Sequence, residues 1–214
     1  MTGAAAFVRA HTELRAPALV PEILLYTASE ITPIWHATEA WLSARNIAPP
    51  FLAFAWPGGQ AAARHILDHP ELVAGRRVLD FAAGSGIAAI AAVRAGAAWV
   101  EAADIDPLAC AAIRLNASAN TVALSVDASD LIGSPARWDL ILCGDACYEA
   151  VAAGRIMPWL RNLAGSAEVW IADPGRAYLP KLGLARFATY TVPTSLELED
   201  RLEREVGLFR VLPA

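Results

Sequence analysis

Five aspartates mark the places where chemistry is expected in this chain. Each stands at the end of a short apolar run that predicts a β-strand, and the five are Asp80, Asp104, Asp127, Asp145 and Asp173. The carboxyl ends of parallel strands lie at one edge of a sheet, which is also where such sheets bind ligands. We therefore expect the five carboxylates at one ligand-binding edge, which favours a ligand that carries positive charge.

The turn after the first predicted strand has the glycine spacing of a nucleotide-binding loop. Residues 84–89 read GSGIAA and satisfy the G-x-G-x-x-A pattern, which alone has low specificity. A dinucleotide would place its pyrophosphate on this turn, and the carboxylate of Asp80 would repel it. S-adenosylmethionine (AdoMet) carries an ammonium and a sulfonium instead, so Asp80 favours that ligand. Asp104 would then accept hydrogen bonds from the ribose hydroxyls, and Asp127 would face the adenine amino group.

The elements that position these residues alternate between strands and helices. Strands are predicted at residues 77–81, 99–103, 122–126, 138–142 and 168–172, and helices at 58–69, 87–95, 107–120 and 149–163. Strands that alternate with helices of about ten to fifteen residues indicate βαβ units and a parallel sheet. After residue 186 the alternation ends. Residues 187–193 and 207–212 are predicted to pair as antiparallel strands, and a short helix is one interpretation of 196–206.

The first 55 residues differ from the rest and are predicted to form a helical N-terminal cover. Residues 56–214 are expected to form the ligand-binding domain, and the clearest helical pattern of the cover lies at 33–45. Three aromatic residues of the cover either line a channel for a substrate side chain or, in the case of the two tryptophans, pack it onto the sheet: Trp35, His36 and Trp41.

Two segments resemble motifs of the seven-β-strand, AdoMet-dependent methyltransferases. Residues 78–86 read VLDFAAGSG and resemble motif I, with Ala82 where that family usually has its first glycine; residues 103–107 read ADIDP and resemble the second motif. The resemblance implies a Rossmann-like α/β fold with the seven-stranded class I methyltransferase sheet, mostly parallel with an antiparallel C-terminal strand. It also implies that AdoMet is bound by Trp56, Asp80, Ala82, Gly84, Gly86, Asp104, Ile105 and Asp127.

A closer resemblance covers most of the chain. Its segments are FAWPGGQ at 54–60, HPELVAG at 69–75, DIDP at 104–107, GDACY at 144–148 and DPGR at 173–176. In this order they are similar to segments of the lysine methyltransferases that modify the β-subunit of electron transfer flavoprotein. The resemblance implies a D-x-x-Y motif in which Asp145 grips the substrate amine and Tyr148 is a wall and hydrogen-bond partner. Nucleic-acid amino-methyltransferases have Pro-Pro at that place, whereas this chain has Ala-Cys.

The composition limits the partners of the protein. The chain has 214 residues, a formal net charge of -5 and a single lysine, so it offers no basic cluster for a phosphate backbone, and we expect no nucleic acid. The most apolar window, 81–100, contains three glycines and an arginine and is a poor membrane span. No basic segment precedes an apolar run at the start, so we expect a cytoplasmic protein that binds no membrane.

Three further patterns have structural interpretations. Residues 65–69 read HILDH and imitate a zinc-protease helix, but no histidine follows His69 to complete a zinc site, and we expect no metal. The three cysteines lack zinc or redox spacing and are expected to be reduced: Cys110, Cys143 and Cys147. The charged residues of 197–205 are interpreted as a solvated, self-paired face.

The leading hypothesis is an AdoMet-dependent protein-lysine N-methyltransferase that acts on the electron transfer flavoprotein β-subunit and modulates electron transfer. The alternatives are a small-molecule N-methyltransferase for a nicotinamide-like amine, and a non-catalytic AdoMet-binding module. A nicotinamide oxidoreductase is disfavoured by Asp80. A wide mouth lined with acids favours a protein lysine, whereas a closed aromatic pocket favours a small ring.

Overall fold

The computed structural model describes residues 3–29 and 51–213. The predicted helix at 33–45, with Trp35, His36 and Trp41, lies outside the described residues. The described elements are α1 (Gly3–His11), β1 (Glu13–Arg15), β2 (Leu25–Thr27), α2 (Pro57–Asp68), β3 (Arg77–Phe81), α3 (Ile87–Arg94), β4 (Trp99–Ala103), α4 (Pro107–Ala119), β5 (Ser125–Asp127), β6 (Leu140–Gly144), α5 (Ala150–Leu163), β7 (Glu168–Asp173), β8 (Leu184–Pro193), α6 (Leu196–Glu199) and β9 (Glu203–Val211).

The strands β3 to β9 form one seven-stranded sheet in the order β5-β4-β3-β6-β7-β9-β8. The pairs from β5 to β7 are parallel, whereas β9 runs antiparallel to both β7 and β8. The predicted α/β fold with an antiparallel C-terminal pair is therefore confirmed. β5 and β6 begin later than predicted, because apolar residues before them, such as Val122 and Trp138, pack against the core from loops.

Helices cover both faces of the sheet because successive strand residues point to opposite sides. In β3, Val78 packs into a cluster with α2 and α3, while Leu79 and Phe81 pack into a second cluster with α5. The sequence of α3 reads IAAIAAVR, and its first six residues are all buried. A helix that is apolar all round belongs in the interior, and small alanines let it approach the sheet closely.

The N-terminal segment is docked on α4 and is not wholly helical. β1 and β2 form a separate antiparallel pair, which the sequence analysis did not anticipate. The side chain of Asn120 bonds the backbone of Leu24 in both directions, at 2.9 and 2.6 Å, and Asn116 accepts from the Tyr26 amide at 2.8 Å. Asn116 also donates to the Ser85 carbonyl at 2.8 Å. Asn116 of α4 and Asn120, which caps its C-terminus, thus attach this segment beside the turn that follows β3.

The order of the strands defines where a ligand binds. The chain leaves the central strand β3 toward β4 and β5, then returns to place β6 and β7 on the other side. Such a reversal opens a crevice between the carboxyl ends of the two central strands, here β3 and β6. The site is therefore expected between Asp80 and Gly144.

Candidate functional site

The loop between β3 and α3 turns sharply because three of its residues have left-handed backbone conformations. The φ angle is 54° at Ala82, 53° at Gly84 and 75° at Gly86. Glycine adopts this region freely, whereas an alanine there costs about 1–2 kcal/mol. A Cβ at Gly86 would lie 3.1 Å from the side chain of Ile113, so glycine also allows the loop to pack against α4.

Asp80 places a buried carboxylate beside this loop. The residue is 4% exposed, and its Oδ2 accepts a hydrogen bond of 2.9 Å from the Ala89 amide in α3. Burial raises the pKa of Asp80 to about 7, and the bond from Ala89 only partly opposes this. A positive group bound next to Asp80 would favour the ionised carboxylate and would itself be stabilised.

Asp104 directly follows β4, and its side chain bonds the loop between β3 and α3. Its Oδ2 accepts from the Gly84 amide at 2.9 Å, and its Oδ1 accepts from the Asp106 amide at 3.0 Å. Burial raises the pKa of Asp104, although both backbone bonds lower it. The next residue, Ile105, is 72% exposed despite its apolar side chain. Asp104 and Ile105 therefore present a carboxylate and an exposed apolar side chain at the end of β4.

Asp127 ends β5 and is more exposed than the other two. Its Oδ1 accepts from the amide and the hydroxyl of Ser129, at 2.8 and 2.7 Å, and Arg137 lies 3.6 Å from its Oδ2. The bond from the Ser129 hydroxyl is the main reason that the pKa of Asp127 is lowered. This carboxylate is ionised and engaged in a local turn, and its contact with an adenine stays a prediction.

A cleft opens between the ends of β3 and β6, where the topology places the ligand. Four of the predicted cofactor residues line it, namely Trp56, Asp80, Ala82 and Gly84. The rest of the lining comes from α2, from the loop and start of α3, and from β6: Gly59, Ala62, Ala83, Ser85, Ile87, Ala88, Leu142 and Gly144. Most of the lining side chains are small or apolar, and Asp80 contributes the acidic group among them. This donor set fits a ligand with an ammonium group beside an apolar part, as AdoMet has.

On the other side of the cleft, Asp145 follows β6 with a left-handed φ of 52° and is 8% exposed. Its Oδ1 accepts from Nε and Nη2 of Arg176, at 2.9 and 2.7 Å, and its Oδ2 accepts from the Gly58 amide. Burial raises the pKa of Asp145 to about 6, and Arg176 limits the rise. Hydrogen bonds thus hold the carboxylate from two sides, and its pKa lies a little below neutral pH.

Close contacts between backbones explain the glycines around Asp145. A Cβ at Gly58 would lie 2.3 Å from the Ala172 carbonyl oxygen, and one at Gly144 would lie 3.1 Å from the Gly59 amide. The start of α2 therefore lies directly on the end of β6. This contact brings the Gly58 amide to Asp145, and only glycine leaves enough room for it.

Tyr148 belongs to an open group of aromatic side chains near Asp145. It is 48% exposed, and its ring centroid lies 5.1 Å from that of Phe51. The Trp56 ring lies 6.0 Å from Phe51, and its indole donates to the Phe51 carbonyl at 2.8 Å. Among the described residues, no hydrogen bond joins Tyr148 to Asp145. The two residues of the D-x-x-Y motif thus occupy different layers, with the carboxylate below and the ring at the surface.

Asp173 ends β7, next to Asp145 at the sheet edge, where the Asp145 amide donates to the Ala172 carbonyl at 3.0 Å. Asp173 is 1% exposed, and its Oδ1 accepts from the amides of Gly175 and Arg176, at 2.7 and 2.6 Å. Its Oδ2 is buried without a hydrogen-bond partner in the described part of the chain. Burial raises the pKa of Asp173.

The remaining patterns have structural roles in this fold. His65 bonds the Tyr190 hydroxyl at 3.0 Å and makes an edge-on contact with the Trp170 ring. Within residues 3–29 and 51–213 no cluster of His, Cys, Asp and Glu has the arrangement of a metal site. The three cysteines are free and buried. No described helix combines the length and apolarity needed to span a bilayer.

Comparisons with known proteins agree with this geometry. Residues 65–145 match the family model described as ribosomal protein L11 methyltransferase (PrmA). The electron transfer flavoprotein beta subunit lysine methyltransferase of Xenopus laevis is 42% identical over 203 residues, covering 91% of this chain and 81% of the relative. The human protein of that name is 35% identical over 209 residues, covering 95% and 78%. This chain belongs to the electron transfer flavoprotein β-subunit lysine methyltransferase family.

The predicted family membership and fold of this methyltransferase are confirmed. Magnesium protoporphyrin IX methyltransferase from Synechocystis, solved with bound SAM, superposes with a TM-score of 0.54 at 19% identity, covering 72% of this chain and 80% of that one. The likeness establishes the class I methyltransferase fold.

Three residues of the site were not identified from the methyltransferase sequence. Gly58 and Arg176 stand within the quoted segments, but their contacts with Asp145 join positions 87 and 31 residues apart. Glu199 was interpreted as part of a solvated face, and this is wrong: it is 4% exposed and accepts from Arg176 at 3.0 Å. Its position within a charged run, three residues after an apolar Leu196, resembles a surface pattern and gave no signal of burial.

Proposed function

We propose that this chain transfers methyl groups from AdoMet to lysine side chains of the electron transfer flavoprotein β-subunit and thereby modulates electron transfer. The names of its relatives support the substrate. The observation that carries the proposal is Asp145, a buried carboxylate fixed at the end of β6, beside the cleft and below an open aromatic rim.

The reaction has a defined physical requirement. A lysine with a pKa near 10.4 is neutral in only about one molecule in a thousand at pH 7.4, which costs about 4 kcal/mol. The neutral nitrogen then forms a bond to the methyl carbon while the carbon–sulfur bond breaks. The site must bind the lysine as an ammonium, allow it to lose a proton to water, and aim its lone pair.

The described residues divide this work between them. Asp145 attracts the ammonium. One lone pair of the Asp145 Oδ2 accepts from the Gly58 amide, and a second lone pair of that oxygen can accept from the lysine. Arg176 neutralises much of the carboxylate's charge, so the ammonium is not bound too strongly to lose its proton. The exposed rings of Phe51 and Tyr148 can contact the apolar stem of the lysine. An open rim of this kind suits a side chain on a protein more than a small aromatic ring.

The opposite side of the cleft would hold the cofactor. AdoMet, when bound, supplies the activated methyl group and a positively charged sulfonium. We propose that Asp80 attracts its ammonium, Asp104 its ribose hydroxyls and Asp127 its adenine, with Ile105 and Trp56 as apolar contacts. Ala82, Gly84 and Gly86 shape the loop beneath it. We place the reaction in the cytoplasm, where three free cysteines remain reduced.

The experiment is intact-mass spectrometry of purified electron transfer flavoprotein incubated with this protein and AdoMet. We expect gains of about 14 Da per methyl group on the β-subunit. Asp145→Asn should reduce the initial rate about 100-fold, because the ammonium loses its charged acceptor, while AdoMet binding is retained. The matched control is Asp139→Asn, at the other end of β6, whose carboxylate pairs with Arg77 on the surface.

Either negative outcome points elsewhere. If AdoMet binds but no flavoprotein mass changes, the substrate assignment is wrong, and small amines such as nicotinamide become the substrates to test. If NADH binds and AdoMet does not, the chain is not a methyltransferase. Equal rates for Asp145→Asn and Asp139→Asn would remove Asp145 from the mechanism.

A further inference from the structure

Arg176 bonds three acidic residues of the site, and no other residue in the described ranges does so. Its amide donates to Asp173, its Nε and Nη2 donate to Asp145, and its Nη1 and Nη2 donate to Glu199. Its guanidinium carbon also lies 5.6 Å above the Trp56 ring. Both the backbone and the head group of this arginine are therefore fixed. An arginine fork held by two carboxylates has a defined plane, which a lysine in its place would lack.

Glu199 comes from a distant part of the chain, and its buried carboxylate pairs with Arg176 and with Arg204. It lies in α6, between β8 and β9, where the Ser195 hydroxyl accepts from the Leu198 amide at 3.2 Å and begins the helix. Its side chain is only 1% exposed, and it bonds Arg176 on one side and Arg204 on the other, the latter at 2.9 Å. Burying a carboxylate is costly, so its pairing with two arginines indicates a specific role for this position.

We infer that Arg176 is a positioning residue that keeps Asp145 ionised and aimed at the substrate amine, and that Glu199 acts through Arg176. The inference rests on the proposed function, since the amine is the lysine of that reaction. It makes the connection between β8 and β9 part of the methyl-transfer site. No side chain of α6 needs to touch the substrate for this role.

The charges around Asp145 explain why the arginine is needed. Asp145 faces Arg176 as its cation, while the buried Asp173 beside it opposes ionisation, as does desolvation. The nearby thiols of Cys143 and Cys147 are neutral because burial and the surrounding carboxylates raise their pKa. Without the guanidinium, Asp145 would take up a proton near neutral pH and would no longer attract an ammonium. Glu199 holds the guanidinium at the angle that allows two bonds to Asp145.

The first test measures the titration of Asp145 directly, by ¹³C NMR of the carboxyl-labelled protein without substrate. Arg176→Gln should move the midpoint upward by at least about one pH unit from its starting value near 6, because the compensating charge is lost. The acid side of the kcat/KM profile should move with it, and kcat should fall about 100-fold. Arg176→Lys keeps the charge, so its midpoint should stay within about half a unit while kcat falls about tenfold.

The matched control is Arg210→Gln, which removes an arginine from a surface pair with Glu168. It should change neither the NMR midpoint of Asp145 nor kcat. An unchanged midpoint in Arg176→Gln would overturn the claim on ionisation. A wild-type kcat in Arg176→Lys would overturn the claim that the arginine fork orients Asp145. This measurement on Arg176→Lys remains informative if Arg176→Gln does not fold.

The second test is a double-mutant cycle between the two residues. Glu199→Gln should lower kcat about tenfold in the wild type, with the AdoMet dissociation constant unchanged, and by less than about twofold in the Arg176→Gln background. Equal losses in both backgrounds would show that Glu199 does not act through Arg176. An inactive wild type would contradict the proposed function instead, and the NMR titration would still decide whether Arg176 controls Asp145.

Discussion

The two sides of the cleft hold their carboxylates by different means. On the side of β3, β4 and β5, the bonds to Asp80, Asp104 and Asp127 come mostly from backbone amides of α3 and of neighbouring turns. On the side of β6, Asp145 depends on a charged side chain and on an amide from a helix 87 residues away. The first arrangement suits a ligand whose shape is constant. The second suits a carboxylate that must stay ionised in a buried position, because the fixed guanidinium opposes the rise in the pKa of Asp145.

The two sides also differ in how far apart in the sequence their residues lie. The loop of residues 82–86 follows β3 immediately, so its chemistry is contained in a short sequence. Asp145 bonds α2 through Gly58 and the segment after β7 through Arg176, and Arg176 in turn bonds Glu199 of α6. Substitutions should therefore act differently on the two sides, and three of them test this.

The largest loss of stability and activity is expected where the two backbones touch. Gly58→Ala would place a Cβ 2.3 Å from the Ala172 carbonyl oxygen and against the Asp145 carboxylate. Because the backbone cannot yield without separating α2 from β6, we expect a loss of about 3 kcal/mol in the free energy of unfolding, together with loss of activity. Urea denaturation measures the first quantity.

Gly154→Ala is the matched control for this loss. Gly154 is exposed in α5, and a Cβ there would meet nothing within 4 Å, so alanine should stabilise the protein by about 0.5–1 kcal/mol. If Gly58→Ala were as stable and active as the wild type, the contact between α2 and β6 would not matter for Asp145.

An effect that is confined to the cofactor side and that depends on pH is expected at Asp80. Its folded-state pKa, about 7, lies above its ordinary value of 3.8, so the folded state binds the proton more tightly. The stability of the wild type should therefore fall as pH rises from about 4 through about 7. Asp80→Asn cannot ionise, so its free energy of unfolding should exceed that of the wild type by about 4 kcal/mol at pH 8, from about three pKa units at about 1.4 kcal/mol each, and the difference should vanish below about pH 4.

The same substitution should weaken AdoMet binding about tenfold at pH 8, because the cofactor's ammonium loses its partner. Calorimetric titration measures this, and wild-type affinity should itself decline as the pH is lowered through about 7. A dissociation constant that is independent of both pH and Asp80→Asn would remove Asp80 from the cofactor site.

The smallest effect is expected in the loop after β3. Ala82 adopts a φ of 54°, which glycine tolerates better, so Ala82→Gly relieves strain of about 1–2 kcal/mol. Part of this gain is offset by the greater freedom of glycine in the unfolded chain, leaving about 1 kcal/mol or less. Differential scanning calorimetry should show a higher Tm with unchanged AdoMet affinity. A lower Tm would mean that the methyl group of Ala82 stabilises the cleft more than the backbone strain costs.

The sequence by itself determined the alternation of strands and helices and most of the cofactor side. Apolar periodicity and punctuation by Gly, Pro and Asp are local, so β3 and β4 were predicted at their observed bounds. Asp80 lies in β3 and Asp104 directly follows β4, and their carboxylates bond the Ala89 and Gly84 amides at this turn. The pair of β1 and β2 was missed because strands of three residues leave almost no periodic pattern.

Only the tertiary structure decided how Asp145 is held. The sequence indicated its position after β6 and its place in D-x-x-Y, but not that Gly58 and Arg176 bond it. It also concealed Glu199, whose burial in α6 depends on where β8 and β9 extend the edge of the sheet beyond β7. Contacts between residues far apart in the chain follow from packing, and an acid in a charged run has the same local pattern whether it is solvated or buried beneath two arginines.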